Sequence, residues 1–209
     1  MSLLRKPIVV NKFREFHDYV KSNNGQIGIK QRGLDLNLNN ACNLKCEHCF
    51  TLSPKMLRIN ERMSVEKISE IMDQAHELGI FEIDLQGGEL LLNKEYLYKV
   101  LEAMGTERFY VYVTTNGYFM TKEVAEKLYS LGVDRCSVSI DSMDPETHDT
   151  FRGRKGTWER AINALKFVQD AGITPYLNIT VGRYNADSED LKLLLDYSKD
   201  NKYTTLLNV

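Results

Sequence analysis

The sequence predicts a parallel α/β sheet with its chemistry gathered at one edge, and three observations predict it. Apolar, β-rich runs alternate with amphipathic helical runs, repeatedly and in the same order. Six strands separated by helices require parallel, right-handed crossovers. The strands end in polar residues, at the edge where open sheets and barrels of this class both place their ligands. From the residues alone, the sheet is either open and doubly wound or curved into part of a barrel.

The first strand, Leu34 to Leu38, alternates apolar and polar residues strictly. A helix follows from Ser64, a good N-cap, with Val65, Ile68, Ile71, Met72, Ala75 and Leu78 on one face and Gly79 to end it. The second strand spans Phe81 to Leu85, and Leu97, Val100, Leu101 and Met104 mark the next helix. The third spans Phe109 to Thr115, before a helix capped by Thr121 that carries Val124, Leu128 and Leu131. The fourth runs from Val133 to Ile140; beyond a loop, Trp158, Ala161, Ile162, Leu165 and Val168 form a helical stripe. The fifth, Thr174 to Val181, precedes a helix bearing Leu191, Leu194 and Leu195, and a short sixth runs from Tyr203 to Val209. Residues 1–33 fit this rhythm less well and read as an N-terminal extension, with a short helix over Phe13 to Val20 and a strand or hairpin arm over Gln26 to Lys30. Residues 34–209 form the core domain.

At 209 residues the chain makes one domain with a substantial core. A formal charge of -2 provides no basic field for a phosphate backbone, so nucleic acid is not an expected partner. No stretch approaches the length of a membrane span, and the N-terminus lacks the apolar run of a secretory signal. The expected location is the cytoplasm.

Three of the four cysteines lie between positions 42 and 49. Cys42-Asn-Leu-Lys-Cys46-Glu-His-Cys49 is C-x3-C-x2-C, directly after the first strand. Crowding of this kind in a reducing compartment points to metal or redox chemistry rather than disulfides. Thiolates suit both iron–sulfur clusters and zinc. A structural zinc site wants four ligands, and His48 lies between two of the cysteines, where a short loop wraps it round the same ion only with difficulty. Three thiolates on a four-iron cluster leave one iron open to an exogenous ligand.

This spacing after the first strand of an α/β chain resembles the signature of the radical S-adenosylmethionine (SAM) superfamily. The resemblance implies a partial parallel (β/α)6 barrel in which Cys42, Cys46 and Cys49 ligate three irons of a 4Fe-4S cluster and SAM chelates the fourth. His48 stands where most members carry an aromatic residue near the adenine. Gln86-Gly87-Gly88-Glu89 ends the second strand and resembles the family's Gly-Gly-Glu motif for the SAM amino group, with Leu90 in place of the usual proline. Gln86, on one face with Asp84 and Glu82, is implied to meet the SAM ribose or the substrate.

The fourth strand places Cys136, Val138 and Ile140 on one face and Ser137, Ser139 and Asp141 on the other. Ser139 matches the family position that bonds the SAM ribose, whereas Cys136 reads as packing. Ser-Ile-Asp141 followed by His148-Asp149-Thr-Phe-Arg152-Gly153 resembles members with a SPASM or twitch extension, and implies that Arg152 pairs with the SAM carboxylate. His148 and Asp149 read as loop-shaping. Thr115-Asn116-Gly117 ends the third strand, with Asn116 either organising the turn or touching the cofactor; Asn178, Thr180 and Asn185 are weaker matches.

The resemblance implies an enzyme that reductively cleaves SAM to a 5′-deoxyadenosyl radical, which abstracts hydrogen from a peptide or protein substrate. A sugar or another small molecule is the competing substrate class, and a zinc-stabilised binding module without catalysis the competing function. An external electron donor of flavodoxin or ferredoxin type is the implied partner. The chain stops at its sixth strand with no cysteine left for an auxiliary cluster, so it is expected to be either a minimal member or a portion of a larger enzyme.

Overall fold

The computed structural model describes residues 5–49 and 62–209. The strands are β1 (Gly33–Asn37), β2 (Glu82–Gln86), β3 (Tyr110–Thr115), β4 (Arg135–Ser139), β5 (Thr174–Thr180) and β6 (Thr204–Asn208). The helices are α1 (Pro7–Ser22), α2 (Val65–Glu77), α3 (Lys94–Ala103), α4 (Lys122–Ser130), α5 (Pro145–Arg152), α6 (Thr157–Asp170) and α7 (Glu189–Asp200).

All five ladders are parallel and the strand order is β1 to β6 without a reversal. A doubly wound sheet needs an order that turns back on itself to put helices on both faces. A monotonic order with right-handed crossovers keeps them on one face and curls the sheet, the geometry of a partial (β/α)6 barrel.

Alternation along the strands sorts the two faces. Leu36, Ile83, Leu85, Val111, Val113, Cys136, Val138, Leu177 and Ile179 are buried in one core with the apolar stripes of the helices. Ile68 and Met72 of α2, Val100 and Leu101 of α3, Leu128 of α4 and Leu165 and Val168 of α6 fill its outer side. Cys136, fully buried there, is a packing residue. The opposite, inner face carries Asp35, Asp84, Tyr112, Arg135, Ser137 and Tyr176.

Capping agrees with the sequence at the two helix starts where it is expected, Ser64 and Thr121, and the structure adds two more. Ser64, Thr121 and Ser188 accept from backbone N–H groups in the first turns of α2, α4 and α7, and Asn93 does so for α3. The N-terminal segment differs from expectation. Its helix begins at Pro7, whose fixed φ suits a first turn, and continues to Ser22. Gln26 to Lys30 form a turn rather than a strand, with Gly28 at φ +62°. The reach of α1 is explained by anchors outside the segment. Lys6 is buried, donates to the carbonyls of Phe109 (2.8 Å) and Gly132 (2.7 Å), and pairs with the fully buried Asp134. Phe13 and Phe16 meet Phe81 edge-on. Phe81, Phe109 and Asp134 all precede their strands, so α1 packs at the amino ends, opposite the cysteines.

Candidate active site

The cysteine loop leaves β1 at the carboxyl end of the sheet and is tied to three other strand ends. Along one side, the amide of Gly88 donates to the carbonyl of Asn39 (2.7 Å) and that of Glu89 to the carbonyl of Ala41 (2.8 Å). These bonds bring two backbones so close that a Cβ on Gly88 would stand 2.2 Å from the Ala41 carbonyl oxygen, and one on Gly87 2.5 Å from that of Asn39. The two glycines are required by the chain's own loop.

Glu89 is buried, and both its carboxylate oxygens are engaged. One accepts from the Leu91 amide (2.8 Å) and the Thr115 hydroxyl (2.7 Å), the other from the Asn116 amide (2.8 Å). It therefore clamps the end of β2 to the end of β3. Burial raises its pKa, and these donors oppose the rise. Asn116 carries the clamp onward: its Nδ2 donates to Oδ1 of Asn43 (2.9 Å) and lies 3.8 Å from Sγ of Cys42, while its own Oδ1 accepts from the Tyr118 amide (2.9 Å).

On the other side the loop meets α5, in a segment that reads as a loop in the sequence. Asp144 caps this helix by accepting from the Thr147 amide (2.7 Å), and Pro145 opens it. Its end pairs with the cysteine loop through the Lys45 amide to the Arg152 carbonyl (3.3 Å) and the Glu47 amide to the Phe151 carbonyl (3.2 Å). Gly153 follows at φ +71°, and a Cβ added there would stand 3.0 Å from the Lys45 carbonyl oxygen. Asp149 turns the chain into α6, accepting from the Thr157 hydroxyl (2.7 Å) and the Trp158 amide (2.9 Å).

Arg152 is buried between the loop and β4. Its Nη1 donates to Sγ of Cys46 (3.6 Å), Nη2 pairs with Asp141, and Nε is buried without a hydrogen-bond partner among the described residues. Asp141 also accepts from the Thr180 amide (3.0 Å), which links β4 to β5. Beside them His148 is buried and accepts from the Asp141 amide at Nδ1 (3.3 Å). Burial and the Arg152 charge push its pKa down to about 4, so the ring is neutral.

His48 lies flat on Phe151 (4.8 Å between centroids), and Phe151 meets Tyr184 at 4.9 Å. Ser139 is half-buried at the end of β4, opposite Asn178, and Gln86 is half-buried at the end of β2. Asn185 organises its own turn, accepting from the Gly182 amide (2.8 Å) and donating to the Thr180 carbonyl (2.9 Å). The structure thus brings Cys42, Cys46, Glu89, Asn116 and Arg152 into one connected set. Asn43 and Asp141 belong to that set and were missed as site residues. The inward parity of Asp141 with Ser137 and Ser139 was the available signal for it; Asn43 had none.

None of the four cysteines is in a disulfide. Burial raises the thiol pKa of Cys42 to about 11, with neighbouring Cys46 and Cys49 adding to the rise. Burial raises Cys46 as well, against the pull of Arg152. Among the described residues no three His, Cys, Asp or Glu side chains converge closely enough to hold a single metal ion. A four-iron cluster asks for something else, soft thiolates on separate irons. Cys42, Cys46 and Cys49 on one loop are donors of that kind.

A family model described as the radical SAM superfamily matches residues 36–197. The chain belongs to this superfamily. It is 33% identical over 147 residues to an AdoMet-dependent heme synthase of Methanosarcina barkeri, covering 70% of this chain and 41% of the relative. It is 37% identical over 153 residues to the sporulation killing factor maturation protein SkfB of Bacillus subtilis, covering 73% and 36%. The fold resembles Streptococcus suis SuiB bound to precursor peptide SuiA with a TM-score of 0.71, at 20% identity, over 94% of this chain and 43% of that one. The chain thus spans roughly two fifths of the length of these relatives. Among the described residues no helix is long and apolar enough to cross a membrane.

Proposed function

We propose that this chain is the core domain of a radical SAM enzyme, with a 4Fe-4S cluster on Cys42, Cys46 and Cys49 and SAM at the adjoining strand ends. The observation that carries the reading is the shared anchoring of the cysteine loop: Asn116 holds it beside Cys42, and Arg152 holds it beside Cys46. When bound, the reduced cluster supplies the electron that splits SAM into methionine and a 5′-deoxyadenosyl radical for hydrogen abstraction.

The chain's residues position and protect that chemistry. The Glu89 clamp and the Gly87–Gly88 pairing set the loop against β2 and β3, which fixes where the thiolates stand. The backbone of Gly87 to Glu89 borders the place assigned to the SAM amino group. Ser139 and Gln86 flank the ribose position, and His48, backed by Phe151, offers a flat ring toward the adenine. Arg152 retains its buried Nε as a donor for the SAM carboxylate while its other nitrogens hold Cys46 and Asp141. The electron comes from an external donor of flavodoxin or ferredoxin type.

A peptide or protein substrate is supported by the similarity to SkfB, a maturation protein, and to the peptide-bound SuiB. The similarity to a heme synthase favours a second reading, a small-molecule substrate. Anaerobic reconstitution with iron and sulfide, then dithionite and SAM, tests the proposal. The expected product is 5′-deoxyadenosine from the wild type and none from Cys46→Ala. A protein that binds cluster and SAM yet releases no nucleoside would refute the reading, and one that takes up a single zinc ion instead would favour the non-catalytic module.

A further inference from the structure

The inner face of the sheet carries charges that the SAM end does not use. Register places Asp35 of β1 opposite Asp84 of β2, Asp84 opposite Tyr112 of β3, and Tyr112 opposite Arg135 of β4. Neighbouring parallel strands lie about 5 Å apart, so two carboxylates face the same space from adjacent strands. Like charges in such a position repel. Burial, and then Asp35, raise the pKa of Asp84. Among the described residues neither carboxylate enters an ion pair.

Two neighbouring cations have closer partners of their own. Arg32 is paired with the third inner-face carboxylate, Glu82, at 2.7 Å. Arg135 lies against two rings, 4.2 Å from the centroid of Tyr112 and 3.7 Å from that of Tyr176. Its strand lies two away from that of Asp84, roughly 10 Å between backbones, and its charge opposes the rise in the Asp84 pKa without forming an ion pair. The polar strip nevertheless continues upward from the carboxylates. The Thr114 side chain lowers the Asp84 pKa from the next strand, and the cross-strand neighbour of Thr114 is Ser137. Ser137 is 1% exposed, and among the described residues neither its Oγ nor Oδ1 of Asp84 has a hydrogen-bond partner. Buried polar atoms of this kind are stabilised by a guest that supplies the missing bonds.

We infer that this strip of Asp35, Asp84, Thr114 and Ser137 is a recognition site for a cationic substrate group, an ammonium or guanidinium, with an amide or similar polar group of the same guest reaching Ser137. The inference rests on the reading of the chain as a radical SAM core and names the substrate chemistry that core selects. Asp84 lies two residues, about 7 Å, below Gln86 at the strand end, so a guest anchored there extends toward the cysteine loop.

The test is a titration of the 209-residue chain at low salt, followed by carbon NMR of the aspartate carboxyl groups. The probes are Nα-acetyl-lysine N-methylamide, its norleucine counterpart, and n-butylammonium. The lysine amide is expected to shift Asp35 and Asp84 saturably, and Asp84→Asn to weaken it about tenfold. Butylammonium binding as well as the lysine amide would support cation recognition but assign a small amine rather than a peptide side chain. Equal binding of the norleucine amide, or wild-type affinity in both Asp84→Asn and Asp35→Asn, overturns the site. Asp35 is exposed, so its variant reports even where Asp84→Asn disturbs folding. The titration needs no iron, sulfide or SAM, so its failure is distinct from failure of the nucleoside assay.

Discussion

Arg152 does more than its place at the end of a short helix suggests. Its guanidinium joins a thiol on the cysteine loop to a carboxylate at the end of β4, and its backbone carbonyl accepts from the Lys45 amide. A cationic donor on a thiolate sulfur draws electron density from it, and hydrogen bonds to the sulfurs help set cluster potentials. In the reconstituted protein Arg152→Lys is therefore expected to move the cluster midpoint to a more negative potential, because the planar fork that reaches both Cys46 and Asp141 is lost. A redox titration followed by electron paramagnetic resonance checks this, and an unchanged midpoint would show that the contact does not bear on the cluster. At the same scale, the sequence pointed to Arg152 by its motif, but the partners Cys46 and Asp141 lie 106 and 11 positions away and became visible only in three dimensions.

Among the elements, the turn after β2 shows how a short segment acquires its composition. Its two glycines meet the backbone of residues 39–41, and the glutamate that follows satisfies three donors. Gly88→Ala is expected to cost about 2–4 kcal/mol in urea unfolding, since the added carbon meets a carbonyl with no freedom to withdraw. Gly156→Ala makes the contrast: at φ +78° with nothing within 4 Å, it should cost only about 1 kcal/mol of left-handed strain. Equal losses in the two would argue against the close backbone approach. Helix α5 is the element that the sequence concealed. Its eight residues, PETHDTFR, carry few apolar side chains and no repeated stripe, so periodicity had nothing to register. Asp144 caps its start, and its place is held by Arg152 and the cysteine loop.

Across the whole molecule, the carboxyl ends of the strands hold the candidate site while the amino ends are packed by α1 through Lys6, Asp134 and Phe81. The price of the buried polar layer near β4 is a pH-dependent stability. His148 titrates near 6.5 when unfolded and at about 4 when folded, so protons bind the unfolded chain first. Its contribution is complete above about pH 6.5 and is lost as the pH falls toward 4, amounting to about 3 kcal/mol. Urea midpoints measured across that window should fall more steeply for the wild type than for His148→Gln. Parallel slopes would mean that the ring protonates in the folded protein without penalty.

Local chemistry determined much of this protein in advance. Apolar, β-rich runs located all six strands, the caps Ser64 and Thr121 located two helix starts, and thiolate spacing located the loop from which the site is built, because each signal is carried by neighbours in sequence. Tertiary structure decided the rest. Doubly wound sheet and curved half-barrel share the same local pattern, and only the unreversed strand order separates them. The extension became one long helix because Lys6 found partners more than a hundred residues away. Glu89, Asn116 and Arg152 acquired their roles in the same way, since a hydrogen bond between distant positions leaves no periodicity in the chain that makes it.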